Sequence, residues 1–341
     1  MTTNQQSTLL VRLPDGYTTS ILTPELEEGA VEVLNACGRW ETGAPSTSLE
    51  EMRVDWSEEG FNRETDTQLV LSPQGEVVAY GEFYDVSTQH VRMFSYARVH
   101  PDHWNRGIGR YLVEWVKERA RKNVPLAEEG ARVVLHQGIN SVNKAACELM
   151  ESCGYSKVRQ FYRMQIDFDQ PPVEPVVPEG IVIRSLVPGQ DERDAFYASY
   201  DSFRDHWGNV EEPFDEYMKK WMHFIENDQK YDPSLFFIAF DGDEPAGISF
   251  CLPYIEEDKD MGWISTLGVR RAWRKRGLGL ALLLHSFNEL YKRGKPRAGL
   301  GVDATSLTGA TRLYEKAGMR VSREYHTYEY ELRPGKDMMR Q

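Results

Sequence analysis

The sequence predicts a mixed α/β protein made of two tandem copies of one fold, each a mostly antiparallel, twisted sheet with flanking helices. Three observations support this prediction. The chain has 341 residues, enough for about two domains. A proline-rich stretch lies near its midpoint, and strands and helices follow in a similar order on either side of it.

The midpoint stretch over 167–180 reads DFDQPPVEPVVPEG. Its prolines remove backbone donors and fix φ, so neither a helix nor a central strand is expected there. We therefore predict an N-terminal domain over 1–168, a linker over 169–180 and a C-terminal domain over 181–341. The alternative is a long surface loop within a single domain.

Each half begins with a short strand, two helical stretches and two strands around a tight turn. The helical stretches are 24–37 and 49–56 in the first half, and 192–205 and 214–227 in the second. The strands are 68–71 and 76–85, then 235–240 and 245–252, and the intervening residues carry Pro, Gly or Asp as hairpin turns require. A further strand, a glycine-rich turn, a helix, a strand, a helix and a final strand complete each half.

The two halves also match residue by residue near their ends. Ala146, Leu149, Glu151 and Gly154 precede Ala310, Leu313, Glu315 and Gly318 by a constant offset. Gly107 and Gly109 correspond in the same way to Gly277 and Gly279, with an offset that differs by six residues because the loop over 123–130 is longer. A duplication explains these matches better than chance.

Composition limits the partners that the chain can favour. The formal net charge is -13 at pH 7, which argues against general affinity for nucleic acid or an anionic membrane and weakly favours cationic substrates such as amines. A polar N-terminus and the lack of an apolar run of ~20 residues predict a cytoplasmic protein without a membrane segment.

The four cysteines, Cys37, Cys147, Cys153 and Cys251, form no C-x-x-C pair and no zinc-spaced cluster with histidine. We expect reduced, mostly buried thiols and no metal site.

The strongest chemical signal is the segment STLGVRRAWRKRGLGLALLL over 265–284. An apolar strand ends at Val269, and a helix begins near Gly279. The first N–H groups of a helix lack partners within it and bind phosphate oxygens, and glycines at 277 and 279 let the backbone approach a ligand closely. Arg270, Arg271, Arg274, Lys275 and Arg276 add positive charge before the turn.

Other interpretations of this segment are weaker. A lone G-x-G is common, and a basic run is usually a solvated surface or a targeting signal. A dinucleotide-binding turn would place a third glycine where Leu282 stands, and a P-loop would contain GK followed by Ser or Thr.

With its preceding strand and following helix, Arg274-Lys-Arg-Gly277-Leu-Gly279 resembles the [QR]-x-x-G-x-[GA] motif of the GNAT acetyltransferase superfamily. The segment GVDATSLTGATRLYEKAGM over 301–319 resembles that family's later V-D-x-x-N-x-x-G-A-x-x-L-Y-x-x-x-G motif. The resemblance extends over nearly the whole chain, strongly in the second half and partly in the first, in a mycothiol-synthase-like tandem arrangement.

The resemblance implies a set of acetyl-CoA contacts in the second half. The backbone from Arg274 through Lys275, Arg276, Gly277, Leu278 and Gly279 would cradle the CoA diphosphate. Leu267, Gly268 and Val269 would lie on a strand that contacts the pantetheine arm, with Val269 as the N–H donor to the thioester carbonyl. Tyr314 would protonate the departing thiolate, although a tyrosine on a helix face is the structural alternative. Ser306 stands where the family often has asparagine, so that contact is weakened or replaced.

The general base is not readable from the sequence. His206 and Asp205, in the segment RDHWG, lie between two helices that line the acceptor groove in this family, and histidine has an ordinary pKa of ~6.5, which suits amine deprotonation. A loop-anchoring hydrogen bond is an equally good explanation for each residue. No carboxylate lies within 262–266, while Glu257 and Asp260 are near the start of the strand.

In the first half the motif is degenerate, with Trp104 at the leading position and Met150 at the tyrosine position, although Asn143 matches the family asparagine. We expect this half to be structural or to complete the acceptor cleft; the alternatives are that it binds CoA without catalysing transfer, or that both halves are active. The sequence thus predicts an acetyl-CoA-dependent N-acetyltransferase acting on a primary amine of a small molecule or peptide. A CoA-binding regulatory or scaffold protein without catalysis is the alternative, a nucleic-acid binder is disfavoured by the acidity, and the oligomeric state is left open.

Overall fold

The computed structural model describes residues 11–85, 87–306 and 309–340. The chain forms two compact units. Unit 1 comprises the described residues up to Val158 together with Thr327–Met338, and unit 2 comprises Arg159–His326 with the residues from Met339 onward. The final strand of the chain therefore contributes to both units.

Unit 1 is a sheet flanked by helices. Its elements are β1 (Thr18–Ser20), α1 (Glu27–Thr42), α2 (Leu49–Asp55), α3 (Arg63–Asp66), β2 (Thr67–Leu71), β3 (Val77–Tyr84), β4 (Arg92–Val99), α4 (Ile108–Arg121), β5 (Val133–Asn140) and α5 (Lys144–Ser152). The strands lie in the order β1-β2-β3-β4-β5, antiparallel except for the parallel pair β4 and β5. Residues 327–333, the second part of the chain's last strand, lie beside β5, where Arg132 pairs with Glu329 at 2.5 Å.

Unit 2 repeats this plan. Its elements are β6 (Ser156–Asp167), β7 (Ile181–Ser185), α6 (Glu192–Phe203), α7 (Phe214–Asn227), β8 (Phe236–Asp241), β9 (Glu244–Leu252), β10 (Met261–Val269), α8 (Leu278–Lys292), β11 (Arg297–Asp303), α9 (Ala310–Lys316) and β12 (Arg320–Arg333). The strands from β7 to β11 lie in chain order, and β6 closes the far side by pairing with β11. Only β10 and β11 pair in parallel among the pairs described in this unit.

The two faces of the unit 2 sheet bury different cores. On one face Met164, Ile264 and Leu300 pack against Leu282 and Phe287 of α8. On the opposite face the side chains of β8 and β9 pack against α6 and α7 in an aromatic core that includes Phe196, Phe236 and Phe250. Because side chains alternate along a strand, β8 and β9 contribute to both cores and are covered on both sides.

The fold class predicted from the sequence is confirmed, including the duplication. The predicted helix over 214–227 has the observed bounds of α7, and the predicted strands agree with β2, β3, β8 and β9 to within a residue. The predicted helical stretch over 24–37 begins where a 3-10 helix over Pro24–Leu26 leads into α1, but its predicted end is wrong, because α1 continues to Thr42 and ends where Gly43 adopts a left-handed φ of 87°.

The stretch over 168–180 contains no helix or strand, as its prolines predict. The domain boundaries at 168 and 181 stay a prediction, because they are defined along the chain, whereas unit 1 also includes Thr327–Met338. Within 11–85, 87–306 and 309–340, no helix is both long and apolar enough to cross a membrane.

Candidate active site

A cavity of about 840 Å³ opens in unit 2 where two central strands separate. Strands β10 and β11 are paired from Met261 opposite Arg297 to Ile264 opposite Leu300. Beyond that point β10 remains paired with β9 as far as Val269, and β11 remains paired with β6 as far as Asp303. Beyond Ile264 and Leu300, the facing edges of β10 and β11 are therefore not paired with each other, and they line the cavity.

The unpaired edge of β10 presents backbone N–H groups to this cavity. The register of β10 against β9 shifts between Ile264 and Thr266, and the N–H of Arg270 donates to Ala246 on β9 at 3.0 Å. Since N–H directions alternate along a strand, Gly268 points toward β9 while Leu267 and Val269 point away from it. Leu267 and Val269 are thus the residues whose N–H groups face the cavity, and Val269 is the one that the sequence predicts as the donor to the thioester.

The glycine turn lies at the mouth of the same cavity. Lys275 and Gly277 have left-handed φ values of 63° and 87°, and α8 begins directly after them. In the first turn of α8, the N–H of Ala281 donates to the carbonyl of Gly277. The amides that precede Ala281 in this turn therefore have no partner within the helix. A Cβ placed on Gly277 would meet no described atom within 4 Å, which leaves open space in front of these amides.

Gly279 allows close packing within the unit, whereas Gly277 faces open space. A Cβ there would lie 3.3 Å from Leu313 Cδ1 and 3.7 Å from Val269 Cγ2. The missing side chain lets α8 approach both β10 and α9. Leu278 between the two glycines is 1 % exposed and belongs to the core, so only its backbone is directed to a ligand.

The side chain of Arg274 holds the turn in place. Its Nε donates to the carbonyl of Val269 at 3.0 Å, its Nη2 donates to the carbonyl of Ser202 at 2.8 Å, and both Nη atoms bind the carboxylate of Asp205. The sequence predicts Arg274 among the cofactor-binding residues, whereas these contacts commit its guanidinium to protein groups. We therefore assign it to positioning the turn.

Asp205 is correspondingly fixed as an anion. Its hydrogen bonds to Arg274, and then to Arg271, hold the pKa of the carboxyl well below its usual range despite partial burial. A carboxylate that binds protons so weakly is a poor general base. The contacts favour the loop-anchoring explanation for Asp205 over the catalytic one.

Other basic residues of the turn are also paired. Arg270 donates to Asp201 at 2.9 Å and lies over the rings of Tyr197 and Trp273, and Arg276 is 3.5 Å from Asp241. Lys275 lines the cavity and makes no ion pair within the part of the chain that the structure describes. Its ammonium group is therefore available to an anionic ligand.

Tyr314 lies in α9 and lines the cavity, although only 6 % of it is exposed. Burial raises the pKa of its phenol to about 12. The group stays protonated at neutral pH and can donate a proton inside the cavity.

Ser306 also lines the cavity, and its N–H donates to the carbonyl of Asp303 at 3.1 Å. The structure thus brings Ser306, Tyr314 and the glycine turn to one cavity.

His206 lies on the cavity wall formed after α6. Its ring packs edge-on against Phe203 with centroids 4.6 Å apart. Burial is the largest influence on its pKa and lowers it from the ordinary 6.5, so the imidazole is neutral at pH 7. Both candidate bases are unprotonated at pH 7, but the imidazole of His206 has the higher affinity for a proton and is therefore the better base.

Several lining residues were not identified from the sequence. They are Arg159, Phe161, Arg163, Trp207, Trp263 and Tyr325. Arg159 forms a bidentate ion pair with Asp303, and Arg163 lies over Trp263 with 4.9 Å between its Cζ and the ring centroid. The alternating pattern of β6 indicates which of its residues share a face, but not that β11 is its neighbour.

Unit 1 has the same turn without the same chemistry. Asn105 and Gly107 have φ values of 59° and 84°, matching Lys275 and Gly277. Trp104 Nε1 donates to the carbonyl of Val99 at 2.6 Å, the same bond that Arg274 makes to Val269. Trp104 thus replaces the arginine as the side chain that holds the turn against the preceding strand.

The remaining motif positions of unit 1 carry other roles. Met150 is buried where unit 2 has Tyr314, and Asn143 caps α5 by accepting the N–H of Ala146 at 3.0 Å. Arg106 donates to Tyr17 at 3.0 Å and Arg110 to Ser152 at 2.8 Å.

The two parallel strands separate, and a helix N-terminus lies beside the gap between them. An acyl donor with a long arm and phosphate groups fits this arrangement, which is that of an acyltransferase. Comparison with known families makes this specific. The acetyltransferase (GNAT) family model matches residues 32–155 and again 196–319. The chain belongs to the GNAT acetyltransferase family, as a tandem enzyme with two such domains, and the membership predicted from the sequence is confirmed.

Related proteins share this arrangement. The chain is 30 % identical over 276 residues to a mycothiol acetyltransferase of Streptomyces scabiei, with 80 % of each chain covered. It is 26 % identical to a mycothiol acetyltransferase of Streptomyces bingchenggensis, over 91 % of this chain and 93 % of the relative.

Solved structures agree with the sequence relatives. A GCN5-related N-acetyltransferase from Sphaerobacter thermophilus matches with a TM-score of 0.78 and 35 % identity, covering 96 % of this chain and 99 % of that one. A tandem GNAT protein from the clavulanic acid biosynthesis pathway has a TM-score of 0.69 at 15 % identity over 94 % and 100 %, which shows the shared fold alone. The donor in GNAT acetyltransferases is acetyl-CoA.

Proposed function

We propose that unit 2 transfers the acetyl group of acetyl-CoA directly to a primary amine of a small molecule or peptide. The observation that carries this proposal is the shared cavity, which joins the open amides at Gly277, the unpaired edge of β10 and the phenol of Tyr314. A donor, a polarising group and a proton source can therefore act on one bound thioester.

The donor is assigned to the side of the cavity nearest α8. The amides from Lys275 to Gly279 receive the diphosphate oxygens, supported by the helix dipole and the ammonium group of Lys275. The pantetheine arm lies along β10, so that the N–H of Val269 donates to the thioester carbonyl and stabilises the negative charge that develops there.

The transfer itself needs two proton movements. The neutral amine nitrogen attacks the thioester carbonyl carbon, the C–N bond forms, and the nitrogen gives a proton to His206. The C–S bond then breaks, and the thiolate takes the proton of Tyr314. Proton exchange with solvent restores the neutral histidine and the protonated phenol.

Both the relatives and the fold bear on the choice of acceptor amines to test. The relatives from Streptomyces have a name that refers to mycothiol, so amines related to mycothiol belong in a substrate screen. Small amines and peptides with free amino groups complete the panel, since one fold of this kind serves many acceptors.

The test is a thiol-release assay of the full chain with acetyl-CoA and this panel, with the acetylated product identified by mass spectrometry. We expect amine-dependent release of CoA and one acetyl group added to the nitrogen. Binding of acetyl-CoA without release for any amine would contradict the proposal and indicate a CoA-binding regulatory or scaffold protein instead.

A further inference from the structure

Besides the basic residues of the glycine turn, a cluster of charged side chains lies in unit 2 on the side of the sheet facing away from α8. Tyr162, Met164 and Ile166 of β6 pack against the core beneath α8. Because strand side chains alternate, Arg159 and Arg163 face the other way, toward α6 and the loop that follows it. Arg159 accordingly lies over Trp207 at 5.2 Å. We call this side of the cavity the acceptor wall.

The acceptor wall has an excess of positive charge. Arg163 Nη1 donates to Glu257 Oε2 at 2.7 Å, and Arg323 Nη1 donates to the same oxygen. Arg159 is neutralised by Asp303. Three guanidinium groups therefore face two carboxylates, in a chain whose net charge is -13.

Glu257 cannot neutralise both of its partners. Burial by itself would raise the pKa of this carboxyl, but hydrogen bonds and charge from Arg323 and Arg163 lower it overall, so the group carries one full negative charge. One positive charge is left over within the cluster. An excess charge of this kind is costly to bury without a counter-ion.

Arg163 is the member of the cluster that reaches the cavity. It is only 8 % exposed, yet it lines the cavity, and its guanidinium lies over the ring of Trp263. Its Nη2 lies 3.5 Å from the thioether sulfur of Met261, which is a weak acceptor. The guanidinium is thus held in one orientation with donor capacity that the protein satisfies poorly.

We propose that Arg163 binds a carboxylate of the acceptor, so that the substrate is an amine with a free carboxylate, such as an amino acid or a short peptide. This inference rests on the proposed function, because it names the acceptor class of the same site. A planar guanidinium matches a carboxylate in geometry. One excess charge also matches a monoanion better than a doubly charged phosphate.

The experiment compares amines offered both as free acids and as the corresponding amides. Dipeptides and ω-amino acids of increasing length are assayed by thiol release with the full chain, and kcat/KM is measured for each acid and its amide. We expect at least one acid to exceed its amide by roughly 10- to 100-fold, as a charge-assisted hydrogen bond predicts.

Two variants test the residues. Arg163→Gln is expected to lower kcat/KM for the acid far more than for the amide, so that the ratio of the two falls toward one. Arg323→Gln keeps Arg163 in place but lets Glu257 neutralise it, so the preference should also fall. Arg320→Gln is the control, since Arg320 lies on the same strand as Arg323, is 60 % exposed and pairs with Asp167.

The outcomes separate this inference from the proposed function. If amines are acetylated but acids and amides react equally, the carboxylate assignment is overturned while the acetyltransferase proposal stands. The assignment is also overturned if the acid preference survives in Arg163→Gln. Calorimetry with acetyl-CoA checks that each variant is folded. If Arg163→Gln fails this check, the test passes to Arg323→Gln, whose side chain is more exposed, and an undiminished acid preference in that variant overturns the assignment.

Discussion

Tyr314 illustrates how burial prepares a single side chain for proton transfer. Its pKa is raised to about 12 because the phenolate would be poorly solvated in the core beneath α9. The phenol is therefore protonated between turnovers. A thiolate that forms in the same buried surroundings is also poorly solvated, which raises its proton affinity and favours transfer of the proton from Tyr314 to sulfur.

Replacing Tyr314 by Phe should lower kcat by roughly 100-fold, because the proton donor is lost while the ring and its packing remain. The dissociation constant of acetyl-CoA should change little. Steady-state kinetics and calorimetry measure the two quantities. Tyr291→Phe, in α8 and outside the cavity lining, controls for the loss of a hydroxyl, and an unchanged kcat in Tyr314→Phe would remove this residue from the mechanism.

His206 gives the activity a defined dependence on pH. Its pKa in the folded chain lies below 6.5, because burial disfavours the imidazolium. The neutral form is the base, so activity is present above this pKa and is lost as the pH falls through it.

We expect the acidic limb of the kcat/KM profile to have its midpoint below 6.5 and to disappear in His206→Gln, which should also be slower overall. The measurement uses an acceptor with a weakly basic amine, so that the substrate's own titration lies elsewhere. His285→Gln is the control, since His285 is also buried with a lowered pKa but packs against Phe237 outside the cavity. An acidic limb that persists in His206→Gln would contradict its role as base.

At the scale of elements, the site depends on how closely α6 packs on β10. A Cβ on Gly268 would lie 2.8 Å from Ser202 Cβ and 3.0 Å from Phe203 Cε2. The carbonyl of Ser202 also accepts a hydrogen bond from Arg274 Nη2. The absence of a side chain at Gly268 therefore brings α6, β10 and the glycine turn together.

Gly268→Ala should push α6 away from β10 and lower the free energy of unfolding by about 1–3 kcal/mol, as overpacking does. Gly301→Ala on β11 is the matched control, because a Cβ there meets no described atom within 4 Å. Urea denaturation of both variants measures the difference. Equal stability of the two would show that α6 and β10 do not pack as described.

The sequence predicts features that are contiguous and misses those assembled across elements. The glycine turn and Tyr314 each lie within one short motif, and both were identified. The partner of Arg274 is Asp205, 69 residues earlier in the chain, so the ion pair that fixes both side chains could not be read from their spacing. Arg163 and Trp263 meet only because β6 pairs with β11, a choice of neighbour that no local pattern specifies.

At the scale of the molecule, two copies of one fold have diverged at equivalent positions. Counting from the pairs of Ala79 with Val99 and of Gly247 with Val269, Glu82 on β3 corresponds to Phe250 on β9. Glu82 is buried beside Tyr80, and burial raises the pKa of its carboxyl to about 7. At this position unit 1 thus has a buried carboxyl where unit 2 has an aromatic side chain, while both keep the same turn.

This conserved turn geometry provides a matched pair of positions, one in each copy. Gly277 and Gly107 have φ values of 87° and 84°, and a Cβ on either would meet no described atom within 4 Å. Alanine at each position therefore adds comparable backbone strain, of about 1–3 kcal/mol, and the same methyl group. Only the occupant of the space in front of the turn can make their effects differ.

The most direct test is kcat/KM for acetyl-CoA in Gly277→Ala and Gly107→Ala, measured by thiol release at saturating amine. A methyl group in the path of the diphosphate should lower this value roughly 10-fold or more in Gly277→Ala, while Gly107→Ala stays within about twofold of the unsubstituted chain. Equal losses in the two variants, or a loss confined to Gly107→Ala, would contradict the assignment of acetyl transfer to unit 2.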